Sequence, residues 1–369
     1  MSVLRLVFAR LVSDWLLLGL IVLFPIVFWW AQAPVASLPG LVDWKTVAAL
    51  AGLMVLSRGL ELSGAIDRVG RIVLMRLCTI RALALVLVVF AAILSAVLTN
   101  DVALFVTVPL TLGLSRMVAL PVGRLVIFQA LAVNAGSALS PVGNPQNLFL
   151  WQLSGTGFLE FAFVMLPIAG AMMLLVLALV LLGFEKASLA LPDMASPLPL
   201  QLGLMVSALV AYPLFLGAVN AGFALEGAAV ILVLFGLGFG RVLRGVDWAL
   251  LLVFVLMFVN LGLLGQVSAI SALVESRMQA QGAVFALGAG LSQVMSNVPA
   301  AIFLAPFTDD WRALAWGVNV GGFGLAIGSL ANLIALRLAP TPGLWREFHL
   351  WSLPILGVSF ALGAVLLRF

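Results

Sequence analysis

Apolar runs of about membrane-spanning length recur along the whole 369-residue chain. Examples are WLLLGLIVLFPIVFWW near the start, AGAMMLLVLALVLLGF in the middle and WALLLVFVLMFVNLGLL further on. An α-helix needs about 20 consecutive apolar residues to cross the hydrocarbon core of a bilayer. Only 9% of the residues are charged, whereas about 25% are charged in an ordinary soluble domain. The sequence therefore predicts an all-α polytopic membrane protein.

The polar residues exclude several other classes of protein. The arginines behind the net charge of +4 lie in short loops at span ends, which is typical of cytoplasmic loops rather than of a nucleic-acid-binding surface. One Cys and one His exclude a disulfide framework and a His/Cys metal site. We expect the sole histidine, His349, in a loop beside the last span. No G-x-S-x-G or H-E-x-x-H motif is present, so we expect no enzyme, no catalytic residues and no cofactor.

Three pairs of segments share residues in the same order in the two halves of the chain, which indicates an internal duplication. The third pair shares the pattern V-N-x-G-x6-G-x3-N-L, and both copies of the first begin with V-D-W. The pairs are 42–60 with 246–263, 94–109 with 291–306, and 133–148 with 318–333. The boundary falls in a Pro-rich linker, so we expect repeats over 1–188 and 201–369, separated by 189–200.

The distribution of arginines predicts that the two repeats have opposite orientations in the membrane. With the N-terminus in the cytoplasm, six arginines flank a hairpin over about 82–116, which would enter from inside. The corresponding hairpin, over about 282–306, lies beside Asp309 and Asp310 and would enter from outside. We therefore expect about nine full spans, two re-entrant hairpins and inverted repeats, as in many secondary transporters.

Two of the crossings carry residues that interrupt helices. The first, over about 125–151, contains Gly136, Gly143 and two prolines, and the second, over about 313–337, contains several glycines. Irregular backbone is tolerated in a membrane where protein or a water-filled cavity surrounds it, and its freed polar groups can bind ions. We expect broken helices with these ligands: Gly136, Gly143, Gly321, Gly328, Asn134, Asn144, Asn147, Asn319, Ser329 and Asn332. The alternative is that the asparagines cap helix ends or hold neighbouring helices together.

The predicted hairpin tips are also polar. Thr99, Asn100 and Asp101 lie at the first tip, and Ser296 and Asn297 lie at the second. Residues of these types are common in turns, which is the alternative interpretation. A carboxylate at membrane depth is costly and indicates function, so Asp101 is the candidate coupling residue. Arg58 and Glu61, three residues apart, are expected to form a local ion pair.

Across nearly the whole chain, these segments resemble the ion transporter superfamily of citrate, dicarboxylate and arsenite permeases. The closest resemblance is to the YbiR-type inner-membrane anion permeases. It implies a homodimer with elevator-like movement, and Na⁺ or H⁺ sites between each tip and each break. The first site would involve Asn100, Asn134 and Gly143, and the second would involve Asn297, Asn319 and Gly328. No metal is expected beyond possible Na⁺ near Asn100 and Asn297.

The tips depart from the Ser-Asn-Thr pattern of sodium-coupled dicarboxylate members. Asp101 and Val298 replace both threonines, and a fixed carboxylate would repel a dicarboxylate. The Asn-Asp pair is similar to arsenite permeases. We therefore expect a secondary active transporter of the bacterial inner membrane, coupled to H⁺ or Na⁺, for a small anion or an arsenite-like neutral oxyacid. The alternatives are a Na⁺/H⁺ antiporter and a passive ion channel.

Overall fold

A computed structural model describes residues 15–65, 68, 79–115, 118–188, 199–339 and 341–368. Within these ranges the chain is helical, and its only β-type pairing is one isolated antiparallel bridge between Thr79 and Ser188. The expected all-α class is confirmed. Most of the predicted linker 189–200 and three of the arginines used for orientation, Arg71, Arg76 and Arg116, lie outside the described residues.

We number the described α-helices in chain order, leaving the short 3₁₀ segments unnumbered. They are α1 Trp15–Ala31, α2 Trp44–Leu62, α3 Ile80–Val97, α4 Asn100–Ser115, α5 Val122–Ser137, α6 Pro145–Ser154, α7 Phe158–Gly183, α8 Leu202–Asn220, α9 Ala224–Gly238, α10 Gly240–Gly245, α11 Trp248–Gln266, α12 Ser268–Met278, α13 Ala283–Met295, α14 Asn297–Leu304, α15 Trp311–Gly321, α16 Leu330–Leu338 and α17 Leu344–Leu366.

Five of the described helices, α3, α7, α8, α11 and α17, are long and apolar enough to cross a membrane. A sixth candidate combines α1 with the 3₁₀ segment Val35–Leu41, and this pair is bent by 118°. The remaining helices are shorter or more polar. His349 lies inside α17, so the expectation that it lies in a loop is wrong. The last helix begins at Leu344, five residues before His349.

Capping residues fix the ends of the helices that position the site. Asp43 accepts hydrogen bonds from the backbone N–H groups of Lys45 and Thr46 at the start of α2. Asn144 caps α6 and Ser329 caps α16, each accepting a backbone N–H of the first turn. Such caps satisfy N–H groups that have no partner within the helix. Two predicted ligands, Asn144 and Ser329, therefore have equivalent structural positions.

Packing in the two halves follows the same pattern. Helix α3 packs against α4 and α5, as α13 packs against α14 and α15. Helix α4 packs against α16 from the other half, and α14 packs against α6.

Gly136 lies within α5, where a Cβ atom would collide with the backbone of Ala92 on α3. It therefore permits close approach of two helices, and the interruption begins only after Ser137.

Candidate functional site

The first interrupted segment consists of α5 and α6, separated by residues 138–144. The Asn147 Nδ2 group donates hydrogen bonds to the carbonyl oxygens of Ser137, Ala138 and Ser140, at 3.2, 3.0 and 3.1 Å. These carbonyls belong to the end of α5 and to the break, where helical partners are missing. Asn147 thus satisfies backbone groups that the interruption would otherwise leave unpaired.

The junction between α3 and α4 contacts this break directly. The backbone N–H of Asn100 donates to the carbonyl oxygen of Gly143 at 2.8 Å. A Cβ atom at Gly143 would collide with the backbone of Ser137, so a larger residue would distort this turn. The structure therefore brings together Asn100 and Gly143 as expected. No hydrogen bond between described residues links Asn100 to Asn134, the third residue of the predicted set.

The second interrupted segment consists of α15, the 3₁₀ segment Ala326–Gly328 and α16. Asn332 Nδ2 donates to the Gly322 carbonyl oxygen at 2.8 Å, just as Asn147 donates to carbonyl oxygens of the first break. Gln293 Nε2 donates to the Gly321 carbonyl oxygen, and its Oε1 accepts the Leu325 N–H, both at 2.7 Å. Gln293 was not predicted as a site residue, because its only signal is the contact with backbone groups of the second break, 28 or more residues further along the chain.

Buried asparagines connect the two breaks to each other. Asn134 Nδ2 donates to Asn332 Oδ1, and Asn319 Nδ2 donates to Asn147 Oδ1, each at 2.7 Å. Asn144 Nδ2 adds a bond to Asn319 Oδ1 at 3.0 Å. All five residues are buried. These contacts match the alternative interpretation, in which the asparagines hold neighbouring segments together, and they occupy amide groups that a ligand would otherwise use.

The junction between α13 and α14 has a strained backbone. Ser296 has φ +75° and ψ +158° and is one of two described non-glycine residues with positive φ. Its Oγ atom is buried without a hydrogen-bond partner. Strained residues of this kind cost about 1–3 kcal/mol and cluster at functional sites. No described hydrogen bond links Asn297 to Asn319 or Gly328, so the second predicted set is less closely assembled than the first.

A cavity of about 500 Å³ lies between α2, α4, α16, the start of α6 and the segment from α10 to α11. Among the predicted site residues it is lined by Thr99 and Asp101. The volume falls in the range of about 300–1,000 Å³ typical of small-molecule sites. The Asp101 carboxylate makes no hydrogen bond or ion pair of 4 Å or less with the described residues. Asp101 is therefore available to a ligand in this cavity.

Four more charged residues line the same cavity: Arg58, Glu61, Asp247 and Arg337. The expected ion pair is confirmed, with 2.6 Å between Arg58 Nη1 and Glu61 Oε2. Asp43 and Asp247 share the V-D-W pattern, but only Asp43 caps its helix with its side chain. Asp247 and Arg337 were not predicted as cavity residues. The V-D-W pattern shared by the two halves could have drawn attention to Asp247, whereas no local pattern distinguishes Arg337.

Comparison with known proteins agrees with this architecture. The pattern of the citrate transporter family matches residues 3–311. The chain belongs to the citrate transporter family. As a member of this family it is a membrane transporter and not an enzyme. The expected resemblance to YbiR-type proteins is confirmed by 45% identity to Inner membrane protein YbiR of Escherichia coli over 333 residues, covering 90% of this chain and 89% of the relative.

Two further relatives of this chain are named as uncharacterized transporters. An uncharacterized transporter of Methanocaldococcus jannaschii, MJ0456, is 32% identical over 302 residues, covering 81% of this chain and 82% of the relative. An uncharacterized transporter of Mycobacterium tuberculosis, Rv2684, is 25% identical over 370 residues, covering 88% and 86%. These similarities extend over most of each chain, so they concern the whole transporter rather than a single motif.

Proposed function

We propose that the protein is a secondary active transporter that moves a small anion or an arsenite-like neutral oxyacid by alternating access, coupled to H⁺ or Na⁺. The observation that carries this proposal is the position of Asp101. Its carboxylate lies at the junction of α3 and α4, one residue from the contact with the first helix break, and lines the 500 Å³ cavity. A carboxylate in this position can couple substrate binding to a proton or a cation.

The reciprocal packing supports two inverted repeats over 1–188 and 201–369, each with a re-entrant hairpin and a broken helix. The α4–α16 contact has its counterpart in the α14–α6 contact. The Asn134–Asn332 bond likewise has its counterpart in Asn319–Asn147. A twofold relation between the halves would produce both kinds of pair. In an elevator movement, the hairpins and broken helices would move together against α2, α8, α9 and α11, since the asparagine pairs tie the two breaks to each other.

A Na⁺/H⁺ antiporter is the second candidate. The cavity contains three carboxylates, of Glu61, Asp101 and Asp247, against two arginines, and this excess of negative charge would favour a cation. A passive channel would require polar residues along a continuous path through several spans. Five charged residues instead lie together around one cavity, which favours a carrier over a channel.

Further features of the proposal follow from the family resemblance. They are a homodimer and Na⁺ or H⁺ sites near Asn100 and Asn297. The proposed cytoplasmic N-terminus follows instead from the distribution of arginines. The inner-membrane location in bacteria rests on the name of the Escherichia coli relative and on the apolar helices. Ser296 Oγ, buried without a partner, and the Asp101 carboxylate are two side-chain groups in these regions that have no hydrogen-bond partner among the described residues and could meet an ion or substrate.

Transport by reconstituted protein tests the role of Asp101. Wild type and Asp101→Asn are placed in proteoliposomes with an imposed pH or Na⁺ gradient, and uptake of radiolabelled citrate, phosphate and arsenite is measured. We expect Asp101→Asn to lose at least 90% of the gradient-driven uptake, because an amide cannot exchange a proton or neutralise a cation. Glu160→Gln, a carboxylate change on α7 outside this cavity, serves as the control and should retain uptake. Unchanged uptake by Asp101→Asn would exclude the coupling role.

A further inference from the structure

The Arg58 guanidinium has unused hydrogen-bonding capacity at the cavity wall. Of its N–H groups, only those of Nη1 have a partner among the described residues, the Glu61 carboxylate. Its Nε atom is buried without an acceptor. A buried charged donor without a partner is costly, and such a group in a native protein indicates a missing ligand or ion. Arg58 therefore presents a site for an oxygen acceptor.

The backbone opposite Arg58 is shaped to leave space for this guanidinium. Gly245 closes α10 and lines the same cavity. A Cβ atom at this position would lie 2.6 Å from Arg58 Nε and 3.1 Å from Nη2. Any side chain at position 245 would therefore displace the guanidinium, whose Nη1 and Nη2 groups can bind a carboxylate through two parallel hydrogen bonds. Gly245 therefore leaves room for the guanidinium in its present position.

We propose that Arg58 is the oxyanion-binding residue of the cavity, and that Glu61 occupies it in the empty protein and is displaced when an anionic substrate binds. This proposal rests on the proposed transport function and selects the anion over the neutral oxyacid. The Arg58 and Glu61 side chains are 32% and 27% exposed. A pair this accessible contributes little to stability, so a substrate that makes two charge-assisted hydrogen bonds displaces Glu61 at little cost.

Displacement of Glu61 changes the charge balance of the cavity. The charged groups facing the site are Arg58 and Glu61 from α2, Asp101 from α4, Asp247 ahead of α11, and Arg337 from α16. With all five ionised the cavity carries one negative charge more than positive, and an anion adds to this excess. Protonation of one carboxylate removes the added repulsion. Anion binding is therefore accompanied by proton uptake and becomes tighter as the pH falls.

Binding to purified protein in detergent tests this site without any transport assay. Acetate, citrate and inorganic phosphate are titrated by calorimetry at pH 5.5 and 7.5. We expect at least one of these anions to bind, more tightly at pH 5.5. We expect affinity to fall by about tenfold or more in Arg58→Gln, since a hydrogen bond to a charged group contributes about 1.5–3 kcal/mol. Affinity should rise by about twofold to fivefold in Glu61→Gln, because the competing carboxylate is gone. Arg58→Lys and Gly245→Ala should both weaken binding.

The control is Arg124→Gln. Arg124 forms a comparable ion pair with Glu347 at 2.8 Å, with 40% and 32% exposure, away from the cavity. The Arg124→Gln substitution should leave the affinity for anions unchanged. The gain in Glu61→Gln cannot arise from misfolding. Wild-type affinity in Arg58→Gln, or no binding of any of the three anions to wild type and Glu61→Gln, would overturn the proposal. Failure of coupling in the Asp101 experiment with these binding results intact would instead count against the transport mechanism alone.

Discussion

At the scale of single residues, the buried asparagines bond to each other and to the helix breaks, whereas their sequence pattern had suggested that they are ligands. Asn134 and Asn319 share the V-N-x-G pattern, and each donates to the asparagine of the N-L pair in the other half. Asn147 and Asn332 in turn donate to carbonyls of their own breaks. Chains of buried hydrogen bonds reinforce each other when every member is satisfied. These residues therefore build the frame around the site, whereas Asp101, Ser296 and Arg58 each retain a polar group that has no partner among the described residues.

Substitution of Asn147 tests this framing role. In Asn147→Ala, three bonds to carbonyls and the bond from Asn319 are lost. We expect the free energy of unfolding to fall by about 2–4 kcal/mol, because buried acceptors are left without partners. The measurement is thermal unfolding in detergent. Asn220→Ala is the matched control, since the exposed Asn220 accepts one bond from the Phe158 N–H, and it should have a much smaller effect. Equal effects would show that Asn147 is not a framing residue.

At the scale of helices, the sequence predicted the interruptions well and the cavity poorly. Gly, Pro and Asn interrupt 138–144 and three glycines interrupt 322–329. The breaks between α5 and α6 and between α15 and α16 therefore lie where these residues indicate. Such signals are local and can be read from the chain. The cavity joins residues nearly 300 positions apart, such as Met54 and Arg337, and no local pattern encodes that proximity. The contacts of Gln293 and His349 escaped prediction for the same reason.

The close approach of α3 and α5 gives a prediction at this scale. Gly136→Ala should destabilise the protein by about 1–3 kcal/mol, because the new methyl group would overlap the Ala92 backbone. Gly170→Ala on α7 is the control, since no atom lies within 4 Å of its added Cβ, and alanine favours a helix over glycine by about 0.5–1 kcal/mol. The measurement is the thermal unfolding temperature of both variants relative to wild type. A stable Gly136→Ala protein would show that the two helices can separate without cost.

At the scale of the whole molecule, two halves with matching internal contacts surround one charged cavity. Helix α2 packs against α8 and α9, and it carries Arg58 and Glu61 toward α4 and α16. The cavity therefore lies between the part that holds the helix breaks and the part formed by α2, α8, α9 and α11, against which the breaks are proposed to move. Relative movement of these parts would change which side of the membrane the cavity opens to, while the asparagine pairs keep the breaks together.

The central claim is that the protein performs active transport rather than passive conduction, and the steady-state accumulation ratio tests it most directly. Proteoliposomes containing wild-type protein receive an inward H⁺ or Na⁺ gradient with no electrical potential and no substrate gradient, using the anion that binds most tightly. Its internal and external concentrations are then compared over time. We predict that the internal concentration rises severalfold above the external one and falls back when an ionophore dissipates the gradient. A ratio that never exceeds one, with or without either gradient, would contradict the account.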